Sequence, residues 1–184
     1  FAKSLGTPDL GTSGPGADAH HLRASDVQRN GARGSLKFAP GSGNSGPVSG
    51  GWYPGDEWKG DVARMIMYMY LRYPTRCLPK NVGTGSTVSS DANMIALFLQ
   101  WNAEDPVSEF EDRRNTYLGN AGNTYGQGNR NPFIDNPYLA TVIWGGPVAE
   151  NRWPSILATD SFDALASVLV YPNPSNDQRI MKSS

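Results

Sequence analysis

The stretch DAHHLRASDVQRNGARG, residues 18–34, holds both histidines of the chain. It reads as a short extended segment at 19–23 followed by a helix. Ser25-Asp26-Val27-Gln28 has the S-x-x-Q form of a capping box, in which two side chains satisfy free backbone N–H groups reciprocally. A helix over 26–32 follows, and Gly34 stops it. On a strand, His20 and His21 point to opposite faces, so only one can serve a site. On the helix, Asn30 and Arg33 are three apart and share a face. An asparagine carbonyl is a hard oxygen donor suited to Mg²⁺ or Ca²⁺. A guanidinium matches a phosphate. The plain alternative is a pair of surface histidines beside a polar helix.

Outward from this stretch, the composition sets bounds. At 184 residues and 38% hydrophobic, the chain is long enough for one domain with its own core. The net charge of −1 gives no bulk argument for a nucleic-acid partner, so phosphate binding must come from a local cluster of Arg and Lys. Cys77 is alone, which excludes a disulfide within these residues. No apolar run approaches the ~20 residues that span a bilayer. The opening FAKSLG, without a methionine, is what a processed or partly observed product shows.

The organisation reads as α-rich, with few strands and long glycine loops. Loops are expected over 1–17, 41–51 (GSGNSGPVSGG) and 81–90. Asp56 is placed to cap a helix over 57–73, whose apolar face is Val62, Ile66, Met69 and Tyr73, and Pro74 ends it. ANMIALFLQWN, 92–102, reads as a buried helix. Asp105-Pro106 opens the next, with Glu109 and Arg113 spaced to pair. Asn136-Pro137 starts a last helix, stopped by Gly145-Gly146. Lys59 and Arg64 could reach a phosphate, although ion pairing is the default for them. The amide-rich QGNRN segment, with Gln127, Asn129, Arg130 and Asn131, suits either buried backbone groups or a polar cleft. No nucleophile elbow, phosphate-binding glycine loop, zinc spacing or dinucleotide fingerprint occurs.

Four motifs in order carry a resemblance: DAHHLRASDVQRNGARG, KGDVARMIMYMYLRY, LQWNAEDPVSEFEDRRN and QGNRNPFIDNPYLATVIW. Over residues 1–144 the chain resembles the endonuclease I family of secreted and periplasmic bacterial nucleases. The resemblance implies an α+β fold, an α-rich domain around a ββα-metal (His-Me finger) motif. It implies hydrolysis of phosphodiester bonds of DNA, and often RNA, without sequence preference and leaving 5′-phosphate ends. One Mg²⁺ (or Ca²⁺ or Mn²⁺) per site would offset charge on the leaving oxygen. A neutral histidine would act as general base.

Carried over residue by residue, Asn30 matches the metal-binding asparagine. Arg33 matches the arginine three residues later, a phosphate or structural contact. His20 matches a histidine on the second strand beside the metal, not the general base. Arg64, Lys59, Arg23 and Arg130 are the candidate nucleic-acid contacts. The family's glutamate–histidine pair lies just ahead of the segment resembling FAKSLG, so the base and first metal carboxylate are expected upstream of Phe1. Smaller departures are Ala24 for proline, Ser35 for asparagine and Asn102 for histidine.

The tail VLVYPNPSND, 168–177, resembles the opening of the C-terminal sorting domain of type IX secretion in Bacteroidetes. The expected division is a nuclease domain over 1–160 and a linker plus the start of a sorting domain over 161–184. The expected protein is secreted to the exterior or cell surface, with the periplasm as alternative. It is expected to be a monomer that engages secretion machinery through its tail. Two other readings compete. One is a catalytically inactive nucleic-acid-binding or scaffolding homologue. The other is a metal-independent ribonuclease with His20 and His21 as acid and base, which the opposed strand directions disfavour.

Overall fold

In the computed structural model, which describes Phe1 and residues 9–153, the core is organised by two helices in contact, α2 (Lys59–Arg72) and α4 (Ala96–Glu104). The described residues through Arg152 form one unit. The expected boundary at 160 and the tail motif lie outside the described residues.

The apolar period of α2 does what it predicts, and more. Ile66 and Met69 are buried, Val62 and Tyr73 pack at the margin, and Ala63, Met67 and Tyr68 are buried as well. α4 answers with Leu97, Phe98, Leu99 and Trp101. Phe38, Tyr53, Phe98 and Trp101 meet edge to ring face, with centroids 5.9–6.3 Å apart, a favoured aromatic geometry. Phe133 and Trp144 close the far side at 5.4 Å.

Around this core lie α1 (Val27–Arg33), α3 (Pro79–Val82), α5 (Glu109–Gly119), α6 (Pro132–Asp135) and α7 (Tyr138–Trp144). Two small antiparallel hairpins complete the α+β fold: β1 (Gly46–Val48) with β2 (Gly51–Tyr53), and β3 (Thr87–Val88) with β4 (Asp91–Ile95). Both hairpins begin inside stretches read as loops. They are held from outside, because the backbone of Phe38 bridges Trp52 and Gly83. The Phe38 N–H donates to Val82 at 2.8 Å, and its carbonyl accepts from Thr84 at 2.8 Å.

Several local readings differ from what forms. The helix expected over 92–102 is strand β4 followed by α4. Ser108, not Asp105, caps α5: Ser108 and Glu111 form a reciprocal capping box. Asp105 instead accepts from the Gly60 N–H at 2.8 Å. Gly60 permits this approach, because a Cβ there would stand 2.4 Å from the Asp105 carbonyl. Asp56 accepts from the Gly43 N–H at 2.9 Å and from the Tyr53 hydroxyl, leaving α2 without a side-chain cap. Gly145 ends α7 with φ 78°, a conformation glycine adopts without strain. Glu109 and Arg113 pair along α5 as their spacing predicts.

α2 and α5 are tied by a buried ion pair. Arg64 is fully buried, and it donates Nε to one Glu111 oxygen at 2.7 Å and an Nη to the other at 2.6 Å. It also donates to the Asp105 carbonyl at 2.7 Å. Asn102 lies beside it and donates to the Pro137 carbonyl at 3.1 Å.

Candidate functional site

α1 buries none of its residues and stands against β1. Asp26 caps it, accepting from the Gln28 and Arg29 N–H groups at 2.9 and 3.0 Å. The Ser25–Gln28 box does not form. Arg29 reaches Ser45 ahead of β1 and fixes the helix laterally. A cleft of about 590 Å³ lies alongside, and His21, Arg23, Arg29, Asn30 and Arg33 are among the side chains that line it.

Asn30 and Arg33 therefore share this cleft, as their spacing requires. Asn30 is exposed. The Arg33 guanidinium lies 4.5 Å from the Phe38 ring centroid, and its buried Nε has no hydrogen-bond partner among the described residues. Burial lowers the Arg33 pKa, so an anion beside it would restore lost solvation.

The segment at 19–23 is not a strand. Asp18 caps a single 3-10 turn, Ala19–His21, and accepts from the His20 N–H at 3.0 Å. The turn sends the two histidines apart. His20 faces the core: it is 1% exposed, its Nε2 is 2.8 Å from the Asn129 carbonyl, and its ring lies 4.7 Å from Tyr68. A carbonyl only accepts, so Nε2 carries the proton. His20, expected beside the metal, lies outside the lining of the cleft and ties the turn to Asn129. His21 lines the cleft instead. Its Nδ1 donates to the Asp18 carbonyl at 3.0 Å, which leaves the Nε2 lone pair unprotonated.

Three other expected contacts are also relocated. Arg64 is enclosed with Glu111 and cannot meet a substrate. Lys59 pairs with Glu104 at 2.6 Å, and Arg130 pairs with Asp135 at 2.6 Å; neither lines the cleft. Arg23 does line it, paired with Asp61 and stacked on Trp58 and Phe110. Burial first, then the charge of Arg114, pushes the Arg23 pKa down to about 10. The QGNRN segment is engaged in internal bonds, to side chains through Asn129 and Arg130 and to the backbone through Gln127 and Asn131. Gln127 accepts from the Ala19 N–H at 2.8 Å, and Asn131 accepts from the Phe133 N–H at 3.0 Å.

Sequence reasoning missed the support behind the turn. Asp18 accepts from the Tyr68 and Tyr73 hydroxyls at 2.9 and 3.0 Å. Arg114 donates to the carbonyls of Ala19, His20 and Leu22. Only spatial proximity reveals these groups, because they are about 50 and about 90 positions apart along the chain.

The support has a pH signature. Burial lowers the pKa of both histidines. Burial alone would raise that of Asp18, but hydrogen bonds from His20, Tyr68 and its other donors outweigh it and the net direction is down. A group with a depressed folded pKa contributes stability above its unfolded pKa and loses it as pH falls through the folded value. Unfolding free energy should therefore decline on acidification, first below about pH 6.5 as the unfolded histidines bind protons and again below about pH 4. Denaturant melts across this range test it. A flat profile through the histidine range would show that neither imidazole is held neutral by the fold.

Among the described residues, no three His, Cys, Asp or Glu side chains gather as a metal site. The donors that line the cleft include the Asn30 amide oxygen, the His21 Nε2 and the Asp61 carboxylate, the last already paired with Arg23. A hard amide oxygen with water filling the remaining positions suits Mg²⁺, which keeps several waters and takes few protein ligands. The residues present fit such an ion as part of its coordination shell.

The cleft of this small α+β unit is lined by arginines, an exposed asparagine and an imidazole, side chains whose chemistry suits a phosphate. The Endonuclease I family matches residues 7–138, and the chain belongs to that family. Two relatives named extracellular ribonuclease, from Bacillus subtilis (strain 168) and Bacillus amyloliquefaciens, are each 43% identical over 157 residues. The match covers 78% of this chain, which spans about half (52%) of each relative. No solved structure matches.

Proposed function

We propose that the chain is a secreted, metal-dependent nuclease that hydrolyses phosphodiester bonds of RNA and DNA with little base preference, leaving 5′-phosphate ends. The observation that carries this reading is the meeting of Asn30 with Arg29, Arg33 and Arg23 around one cleft, in a chain of the Endonuclease I family. The extracellular ribonucleases among its relatives support secretion and include RNA among the substrates.

Asn30 would hold the divalent ion, which when bound supplies charge neutralisation at the scissile phosphate. Arg33 sits against Phe38 and offers its guanidinium to a phosphate oxygen, an interaction strengthened by partial burial. Arg29 and Arg23 extend the positive wall along the strand. His21 Nε2 can accept a hydrogen bond from a water at the reacting phosphate. His20 positions this segment through Asn129.

Two measurements test this. Chelation should abolish cleavage of single-stranded RNA and DNA, and Mg²⁺ should restore it. Three phosphate contacts should weaken binding about 20- to 40-fold between about 50 and about 200 mM salt. Full activity in chelator would favour metal-independent chemistry. Salt-independent binding would remove the three arginines from the substrate path.

A further inference from the structure

Two exposed aromatic side chains line the cleft. Trp58, just ahead of α2, is 40% exposed, and Phe110, in the first turn of α5, is 51% exposed. Their rings meet edge to face, with centroids 6.3 Å apart and planes at 88°. The Arg23 guanidinium lies 5.2 Å from the Trp58 ring and 4.7 Å from the Phe110 ring. Asp61 takes the other side of Arg23 and partly offsets its charge. All four line the same cleft as Arg29, Asn30 and Arg33.

We propose that Trp58, Phe110 and Arg23 form a subsite that stacks one unpaired nucleobase next to the scissile phosphate. The proposal rests on the nuclease reading and adds how a strand is seated. The rings cover Arg23 and still leave much of their own surface to solvent, in the cleft that Arg29 and Arg33 also line. A planar π-system attached to an anion satisfies both parts of the cleft. Bases stack on aromatic and guanidinium faces whatever their identity, which suits a site without base readout. A paired base has both faces covered by its neighbours, so the subsite selects single strands.

The test measures anisotropy of a labelled single-stranded oligonucleotide with the full-length protein in chelator, where nothing is cut. A series of strands carries one abasic residue at each position in turn. The wild type should bind one or two of these about 10-fold more weakly than the intact strand. Trp58→Ala/Phe110→Ala should bind all of them, and the intact strand, equally weakly. Trp58→Phe with Phe110 retained should recover most of the difference. An even response of the wild type across the series, or an undiminished difference in the double variant, overturns the subsite. The abasic arm uses wild-type protein, so a poorly folding variant does not blunt the test. Adding Mg²⁺ to the same samples separates the two claims. Base-dependent binding without any cleavage would overturn the nuclease reading and leave the subsite standing. Cleavage without base dependence would do the reverse.

Discussion

Asn30→Ala is expected to lower Mg²⁺-dependent cleavage by about 10²- to 10³-fold, the usual effect of removing one group that stabilises transition-state charge. The melting temperature should not move. α1 buries none of its side chains and its cap is Asp26, so truncating Asn30 removes neither packing nor a capping bond. The loss should fall on kcat more than on KM, because the proposed ion would act on charge that develops in the reaction, whereas the arginines would hold ground state and transition state alike. Asn30→Asp keeps an oxygen donor and should retain more activity than the alanine variant. Unchanged metal-dependent turnover in Asn30→Ala would end the assignment of the metal to α1. Arg33→Ala supplies the contrast, with its loss appearing largely in KM.

Arg64→Ala should have the largest effect on stability, lowering Tm by about 10 °C. Removing one partner of a buried pair costs about 3–5 kcal/mol because the other is left uncompensated, and each kcal/mol moves Tm by about 2–4 °C at this chain length. Here the stranded group would be Glu111, which is 3% exposed and is also half of the α5 capping box. Arg64→Met/Glu111→Leu removes both charges and fills the space, and should recover most of the loss. Calorimetry decides the matter. A single variant within about 1 kcal/mol of wild type would show that α2 and α5 are held by their apolar contacts instead.

What could be read in advance follows the range of the interactions involved. α2 was legible because its apolar residues repeat at helical spacing, and α7 because Asn136-Pro137 and Gly145-Gly146 mark its ends. The Ser108–Glu111 box was also written in the sequence as S-x-x-E, but the nearby Asp105-Pro106 offered a competing start. The hairpins were hidden because their strands are two to five residues long and begin inside glycine- and serine-rich stretches. The candidate site divides in the same way. Asn30 and Arg33 share a face through local geometry. The choice between His20 and His21 depends on a 3-10 turn whose supports are Asp18, Asn129 and Arg114. Without them, an alternating strand is the simplest reading of adjacent histidines. Arg64 looked available for phosphate because its partner lies 47 positions away.

The three carbonyls gathered by Arg114 have a bearing on the order of assembly. The ties reach back 92 to 95 positions, from α5 to the segment that carries His21. Contacts so distant along the polypeptide are slow to close, because loop entropy is lost before they form. A chain emerging from the ribosome should thus form its local helices before this segment is tied in place. Fragments that stop short of α5 lack Arg114 and, with it, one support of the turn that carries His21.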